Sequence, residues 1–169
     1  MIDSLFGVLT IGFLLGAPAG IAPGPMLVLI ISEAFRHGIR GGAKVAFISL
    51  LTDLPIVLVS GILFAKLSNV DLLLGVISLA GAIFLTYLGS SSIKIASVEI
   101  PDYTPKPLRL RELIIANLAN PNPYLFWFTV GAPLMVSSFQ QSFSLGTAFL
   151  FSFYLGLVGV KFFLAIVAE

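Results

Sequence analysis

Two charged residues, Asp53 and Lys161, lie deep inside long apolar stretches and are the residues best placed to do chemistry. Charged residues make up only 10% of the chain. Asp53 is the only carboxylate that lies well inside one of the helices predicted for the apolar stretches. An ionised group in hydrocarbon costs about 2.5–3.5 kcal/mol or more, so Asp53 must be paired, face a cavity or carry a proton. We expect Asp53 to couple ion movement or to bind a cation. A structural hydrogen bond to a neighbouring helix is the alternative.

Lys161 has several interpretations. The first is that its side chain extends along the helix until the ammonium reaches the surface of the apolar layer. The alternatives are a charge pair with Asp53, a gate that opens when this pair breaks, or a contact to the carboxylate of a solute.

Two proline triplets, Pro23-Gly24-Pro25 and Pro121-Asn122-Pro123, also lie within apolar stretches. Proline has no backbone N–H and clashes with the preceding turn, so each triplet predicts a break in a helix. Within a membrane such a break is tolerated beside a cavity, where its free N–H groups suit a carboxylate and its free carbonyls suit an ammonium. We therefore predict that both triplets line a binding site. A simple kink in each helix is the alternative.

Amide and aromatic side chains supply further groups for this predicted site. They are Asn117, Asn120, Asn122, Tyr87, Tyr124 and Trp127. The amides can donate and accept hydrogen bonds, and the rings can form the wall of a cavity. We include the three asparagines and Tyr87 in the predicted site. For Tyr124 and Trp127, packing or a place in the interfacial aromatic belt is the favoured interpretation.

Composition identifies the surroundings of these residues as a lipid bilayer. Hydrophobic residues make up 58% of the chain and the mean hydropathy is +1.09. The net charge of +1 and the lack of a basic cluster give no reason to expect nucleic acid as a partner. The chain has no cysteine, which excludes thiol chemistry, and no nucleophile–base pair or cofactor motif indicates an enzyme. We predict an all-α, polytopic membrane protein without cofactor or metal.

Uncharged stretches locate the helices, because about 20 apolar residues cross the hydrocarbon layer. The predicted spans are residues 4–32, 42–65, 72–95, 109–136 and 145–168. The first span is retained rather than cleaved as a signal, because no Lys or Arg precedes it. The stretch from Leu113 to Val160 has 48 residues without a charge, so the chain must turn, and the polar residues 137–142 predict the turn there.

Glycine recurs every four residues along the first span, at Gly12, Gly16, Gly20 and Gly24. Small residues on one face allow two helix backbones to approach closely. We predict that this face packs tightly against another span.

Positive charges predict the orientation of the spans. Seven of them lie in the segments that join spans one and two and spans three and four: Arg36, Arg40, Lys44, Lys94, Lys106, Arg109 and Arg111. Lys66 is the exception on the opposite side. We therefore place these segments in the cytoplasm and the N-terminus outside, in the cytoplasmic membrane.

The two triplets lie 98 residues apart, at matching places in two halves of the chain. Three spans per half give the halves opposite directions in the membrane, which predicts an inverted 3+3 repeat with a site between the halves. Residues 1–96 form the first repeat, residues 97–107 a cytoplasmic linker, and residues 108–169 a second repeat of two helices. Its last helix is expected to be truncated or supplied by a partner.

Several motifs resemble those of the LysE/RhtB family of amino-acid exporters. They are Pro23-Gly24-Pro25, Gly38-Ile39-Arg40-Gly41-Gly42, Thr52-Asp53, Ala80-Gly81-Ala82, Thr86-Tyr87-Leu88-Gly89 and Asn117-Leu118-Ala119-Asn120-Pro121. The resemblance implies secondary-active export of a small solute, with an amino acid as the first candidate, driven by an ion gradient for which protons are the expected ion. It also implies a gate role for Arg40. Asn122 stands where many members have Lys, which leaves the solute open.

Two other functions remain open. A cation or metal-ion exporter of the same superfamily would need oxygen ligands around Asp53, and Ser49, Thr52 and the asparagines are the available ones. A non-transporting scaffold subunit would use the breaks for assembly. The expected partners are a small solute and the lipid bilayer, and a homodimer is left open.

Overall fold

The computed structural model describes residues 4–67 and 109–168, with isolated helical positions between them at 76, 79, 82, 83, 86 and 90. The helices of the two continuous parts are α1 (Leu5–Ile21), α2 (Pro25–Leu67), α3 (Leu110–Leu118), α4 (Pro121–Phe126), α5 (Ala132–Gln141) and α6 (Phe143–Val167). No strand occurs among the described residues, so the predicted all-α class is confirmed. Most of the predicted span 72–95, the linker 97–107 and Tyr87 lie outside the described residues.

The surface of the described part is apolar. Sequences within α2 and α6 are long and apolar enough to cross a membrane, judged by length and composition. Large apolar side chains point outward, with Phe6 80% exposed and Phe143 77% exposed. Such exposure is unfavourable in water and is expected where a helix faces lipid.

Gly38 divides α2 into two arms, a first arm of residues 25–37 and a second arm of residues 39–67. Gly38 has φ 68° and ψ −172°, a backbone conformation that is essentially restricted to glycine. The arms fold back on each other, because Ile30 of the first arm packs in one core with Val45 and Ile48 of the second. The first predicted span therefore corresponds to α1 with the first arm, and the second predicted span to the second arm.

Both apolar stretches with a proline triplet contain a break in the helix. In the first break, residues 22–24 are non-helical and Pro25 begins α2. In the second break, residues 119–120 separate α3 from α4, which begins at Pro121. The prediction that Pro121-Asn122-Pro123 itself forms the interruption is therefore wrong by two residues. Proline is favoured in the first turn of a helix, because its missing N–H would have no partner there.

A π-helical turn at Trp127–Gly131 connects α4 to α5. The N–H of Ala132 donates to the carbonyl of Trp127, five residues earlier. The cause lies in Pro133, which has no N–H and whose ring would clash with the carbonyl four residues before it in a regular helix. The wider turn avoids this clash. A Cβ added at Gly131 would lie 2.6 Å from the Trp127 ring, so glycine leaves room for the indole.

The turn predicted at residues 137–142 is shorter and comes later. α5 continues to Gln141, and α6 begins two residues later with Ser142 as its N-cap. The end predicted for the fourth span, residue 136, is therefore wrong by five residues. Ser138 does not end the helix, because its hydroxyl donates to the Leu134 carbonyl of the same helix at 2.8 Å.

The glycine face of α1 packs against α6, as predicted, except that Gly24 lies in the first break beside Asn122. Gly12, Gly16 and Gly20 are buried there, and a Cβ added at Gly20 would lie 2.7 Å from the Leu157 carbonyl oxygen. Gly156 of α6 lies equally close to the α1 backbone, since a Cβ there would lie 2.9 Å from a carbonyl oxygen of α1. This close approach brings the first break, at the end of α1, beside the middle of α6.

Candidate functional site

The two breaks meet in space. The Asn122 amide Nδ2 donates to the Pro23 carbonyl oxygen at 3.2 Å. A carbonyl at an interrupted helix has no regular helical partner, so this bond satisfies a group that the break leaves free. A Cβ added at Gly24 would lie 3.3 Å from Asn122 Nδ2, which shows that the glycine leaves space for the amide. The two breaks thus contact each other directly through residues that are 99 positions apart in the chain.

Two side chains complete the second break. Asn120 is the N-cap of α4, and its Oδ1 accepts from the Asn122 N–H at 3.2 Å. The Tyr124 hydroxyl donates to the Leu118 carbonyl at 3.0 Å, at the end of α3. Tyr124 is 37% exposed and lies outside the cavity lining. Its hydroxyl therefore provides a hydrogen bond to a carbonyl at the end of the broken helix, and the side chain does not form a wall of the site.

A cavity of about 50 Å³ lies between the two breaks, the second arm of α2 and α6. Its polar lining consists of Asp53, Lys161, Asn117, Asn120 and Asn122. One water molecule needs at least about 10–15 Å³ of such space, so the cavity has room for a few water molecules in this conformation. The predicted aspartate, lysine and asparagines thus come together at one place.

The residues of the two triplets have different positions relative to this cavity. Gly24, Asn122 and Pro123 are in its lining. Pro25 and Pro121 are exposed at the starts of their helices, and neither is in the lining. The prolines therefore contribute mainly by setting where the helices begin.

Asp53 is 3% exposed and is held by Asn117 of α3. Asn117 Nδ2 donates to Asp53 Oδ1 at 3.0 Å and also contacts the Thr52 hydroxyl. The same nitrogen lies 3.5 Å from the Ser49 carbonyl oxygen. An amide has two hydrogens, so these three oxygens share its donors. Asn117 thereby ties the end of α3 to the second arm of α2.

Lys161 is 7% exposed, and its ammonium does not reach the surface. Lys161 Nζ donates to Ser49 Oγ at 2.7 Å, and Ser49 Oγ donates in turn to the Ala46 carbonyl at 2.8 Å. The expectation that Lys161 extends to the headgroups is therefore wrong, because it has a polar partner inside the bundle. A direct ion pair with Asp53, which was the alternative, is not formed either. Both residues are described, and their charged groups are not within 4.0 Å of each other.

Aromatic rings form the apolar side of the cavity. Phe126 and Phe153 are stacked with ring centroids 5.0 Å apart, and Trp127 meets Phe153 edge-on at 5.1 Å. Trp127 is 1% exposed and lines the cavity as part of the core, so it does not belong to an interfacial belt. Phe126 and Phe153 were not predicted, because nothing in their local sequence distinguishes them among 15 phenylalanines.

The predicted residue Arg40 is not found at the cavity, and one buried carboxylate, Glu33, was not predicted. Arg40 is exposed on the second arm of α2 and is not in the cavity lining, and Tyr87 lies outside the described residues. Glu33 is 4% exposed within the first arm, with His37 Nδ1 3.3 Å from its Oε2. Asp53 is therefore not the only buried carboxylate in the apolar helices. A signal was available, because Glu33 directly follows the uncharged stretch of the first span.

Comparison with known proteins identifies the family. The searches of curated proteins and of solved structures found no match. The family model described as LysE type translocator matches residues 19–169, a range that contains both breaks, Asp53 and Lys161. The chain therefore belongs to the LysE type translocator family and is an integral membrane transporter.

Proposed function

We propose that this protein is a secondary-active exporter that moves a small solute, an amino acid in the first place, out of the cell in exchange for protons. The observation that carries the proposal is the meeting of two helix breaks at a cavity that also contains Asp53 and Lys161. Broken helices near the middle of a membrane offer backbone groups to a polar solute. Membership in a family of translocators supports transport as the purpose of this site.

Asp53 is the proposed proton carrier. Asp53 lines the cavity, and its carboxylate is held by Asn117 in the last turn of α3. Because an anion is costly inside a membrane, the carboxylate gains from a proton or from a cationic group beside it. A proton on Asp53 would change the hydrogen bond from Asn117, and the second break begins two residues after Asn117. Proton binding could thus be transmitted to the break.

The proposed location is the cytoplasmic membrane with the N-terminus outside. Leu113 of α3 packs in the same core as Ala34 of the first arm, so Arg109 and Arg40 lie toward the same end of the bundle. Lys66 lies at the far end of the second arm. This clustering of positive charge supports a cytoplasmic position for the end that carries Gly38.

We further propose an inverted 3+3 repeat, with residues 1–96 and 108–169 as its halves and residues 97–107 as the linker. Each half would have its break in its first helix, followed by a helix that begins with a proline. The hydrogen bond between the two breaks supports this arrangement, because equivalent helices of an inverted repeat face each other across the site.

A cation exporter is less well supported. Lys161 is in the cavity lining, and its charge would repel a metal ion. Within residues 4–67 and 109–168 and the isolated positions between them, no three His, Cys, Asp or Glu side chains form a group that could hold a metal ion. No observation favours a scaffold role.

Efflux from proteoliposomes tests the proposal. Vesicles that contain the full chain are loaded with a panel of amino acids, and the outside is made acidic relative to the inside. We expect the pH gradient to accelerate efflux in the wild type and to have no effect on Asp53→Asn, because an amide cannot carry the proton. Efflux is measured by release of the labelled amino acid.

Glu112→Gln is the matched control. It makes the same carboxylate-to-amide change at an exposed position of α3 that is outside the cavity lining. We expect its efflux to respond to the gradient as the wild type does. A gradient response that persists in Asp53→Asn would remove Asp53 from coupling, and a wild type that releases no amino acid would contradict export.

A further inference from the structure

Asp53 and Lys161 place opposite charges on one cavity without forming a direct ion pair. Asp53 comes from the second arm of α2 and Lys161 from α6, and both are in the cavity lining. Neither is within 4.0 Å of the other's charged group. A bound molecule can therefore lie between an anionic and a cationic end.

The cationic end retains free bonding capacity. Ser49 Oγ uses its hydrogen on the Ala46 carbonyl, so it acts as an acceptor for Lys161 Nζ. An ammonium has three hydrogens, and this acceptor takes one of them. Lys161 can therefore donate to a carboxylate that enters the cavity while it keeps its contact to Ser49.

The anionic end is similarly open. Asn117 Nδ2 donates to Asp53 Oδ1, and no other described residue donates to this carboxylate. A carboxylate can accept about four hydrogen bonds, so capacity remains for an ammonium. Burying such an ammonium next to Asp53 would offset the cost of the anion in the membrane.

Apart from the uncharged amides of Asn117, Asn120 and Asn122, the rest of the lining is apolar. Phe126, Trp127, Phe153 and Leu157 face the cavity, together with Ala19 and Ala22 of the broken first helix. None of these side chains offers a charge to balance a third ionised group. A charged side chain on the solute would therefore lie unpaired in a low-dielectric site.

We propose that the site selects neutral amino acids as zwitterions, with Asp53 binding the α-ammonium, Lys161 binding the α-carboxylate and the aromatic wall receiving an apolar side chain. This inference rests on the proposed function of the protein as an amino-acid exporter. It assigns Lys161 the role of excluding cationic amino acids and metal ions by repulsion. It also makes the α-ammonium and the transported proton competitors for the same carboxylate.

Trp127 supplies a direct measurement of binding. It is the only tryptophan of the chain and lines the cavity, so its fluorescence reports on the site in the full-length protein in nanodiscs. The probes are leucine, leucinamide, which lacks the carboxylate, isocaproate, which lacks the amino group, and lysine. We expect leucine to bind on the order of tenfold or more tightly than the other three.

Variants of Lys161 test its role. Lys161→Gln should remove the preference for leucine over leucinamide. Leucine loses its carboxylate contact, whereas leucinamide, which is a cation, loses the repulsion from the Lys161 ammonium and should bind at least as tightly as it does to the wild type. Lys161→Arg keeps a cation and should retain the preference for leucine. Equal weakening of leucine and leucinamide in Lys161→Gln would show a structural role and overturn the inference.

Binding of the four probes to the wild type tests the inference even if a variant fails to fold. Equal affinity of the wild type for leucine and leucinamide, or for leucine and lysine, would overturn the zwitterion site. Binding with the expected preference but without gradient-driven efflux would refute the proposed exporter and support the zwitterion site. Gradient-driven efflux that favours lysine would support export and overturn the zwitterion site.

Discussion

Asn117 connects three parts of the site through one amide group. Its Nδ2 lies within hydrogen-bond distance of Asp53 Oδ1, the Thr52 hydroxyl and the Ser49 carbonyl oxygen, and the side chain is 1% exposed. Thr52 cannot replace this donor, because its hydroxyl already bonds to the Ile48 and Ser49 carbonyls. Asn117 is therefore the residue through which a change at Asp53 can reach the second break.

Replacing Asn117 should weaken both stability and coupling. We expect Asn117→Ala to lower the free energy of unfolding by about 1–3 kcal/mol, because Asp53 loses its donor inside the bundle. The response of efflux to a pH gradient should also fall. Thermal unfolding in detergent and vesicle efflux measure the two effects.

Ser138→Ala is the control for this substitution. It removes a buried hydroxyl whose hydrogen bond stays within its own helix, away from the cavity. We expect a smaller loss of stability and no change in the gradient response. If Asn117→Ala kept the full gradient response, coupling would not pass through Asn117.

At the scale of elements, close packing of α1 on α6 positions the site. The glycine face of α1 permits the backbones to approach, and the same contact brings the first break beside Lys161 of α6. On the other side, the π-helical turn after α4 directs Trp127 into the core, where it meets Phe153. The two breaks and the π-helical turn thus all contribute residues to the cavity lining.

Gly16 tests the importance of this packing. A Cβ added at Gly16 would overlap the Phe153 carbonyl oxygen, which belongs to the α6 backbone and cannot move aside as a side chain would. We expect Gly16→Ala to reduce the free energy of unfolding by about 1–3 kcal/mol through overpacking. Thermal unfolding followed by circular dichroism checks the prediction.

The chain offers a matched control in Gly159 of α6. A Cβ added there has no neighbour within 4 Å among the described residues. Gly159→Ala should leave stability unchanged or raise it by up to about 1 kcal/mol, because alanine favours a helix more than glycine does. Equal effects of the two substitutions would argue against close helix contact at Gly16.

At the scale of the whole molecule, the cavity of about 50 Å³ has room for only a few water molecules in this conformation. A transporter must open its site to each side of the membrane in turn, and in repeat-built carriers this occurs by movement of one half against the other. The bond from Asn122 to the Pro23 carbonyl joins the two breaks, so we expect it to open during transport.

Cross-linking the breaks should therefore stop transport. The chain has no cysteine, so a double variant Gly24→Cys with Asn122→Cys would carry the only thiols. We expect a short bifunctional reagent with a cleavable link to abolish efflux and its cleavage to restore efflux. Efflux is compared before treatment, after treatment and after cleavage.

The single variants Gly24→Cys and Asn122→Cys control for modification alone. Each has a thiol in one break only, so the reagent cannot link the two breaks. Cleavage of the reagent should therefore leave efflux of the single variants unchanged. Full efflux from the cross-linked double variant would mean that the breaks stay together throughout transport.

The sequence by itself was sufficient for features that depend on local chemistry. Composition and uncharged stretches indicated helices in a membrane, because the bilayer constrains each helix separately. Proline identified both breaks to within two residues, since it has no backbone N–H for the preceding turn and is favoured in the first turn of a new helix. The motifs around Pro23 and Asn117 identified the family that the family model confirms. Gly38 was part of these motifs, and its positive φ shows why glycine is needed there.

Only the tertiary structure decided which groups meet. Ser49 and Lys161 are 112 residues apart in the chain, and their hydrogen bond depends on how α2 and α6 are rotated about their axes. The packing of the helices on one another also buries Glu33, leaves Tyr124 exposed and brings Trp127 to the cavity. A helical sequence determines which residues share a face, but packing against other helices decides what that face contacts. The separation of Asp53 from Lys161, on which the zwitterion site depends, therefore came from the structure.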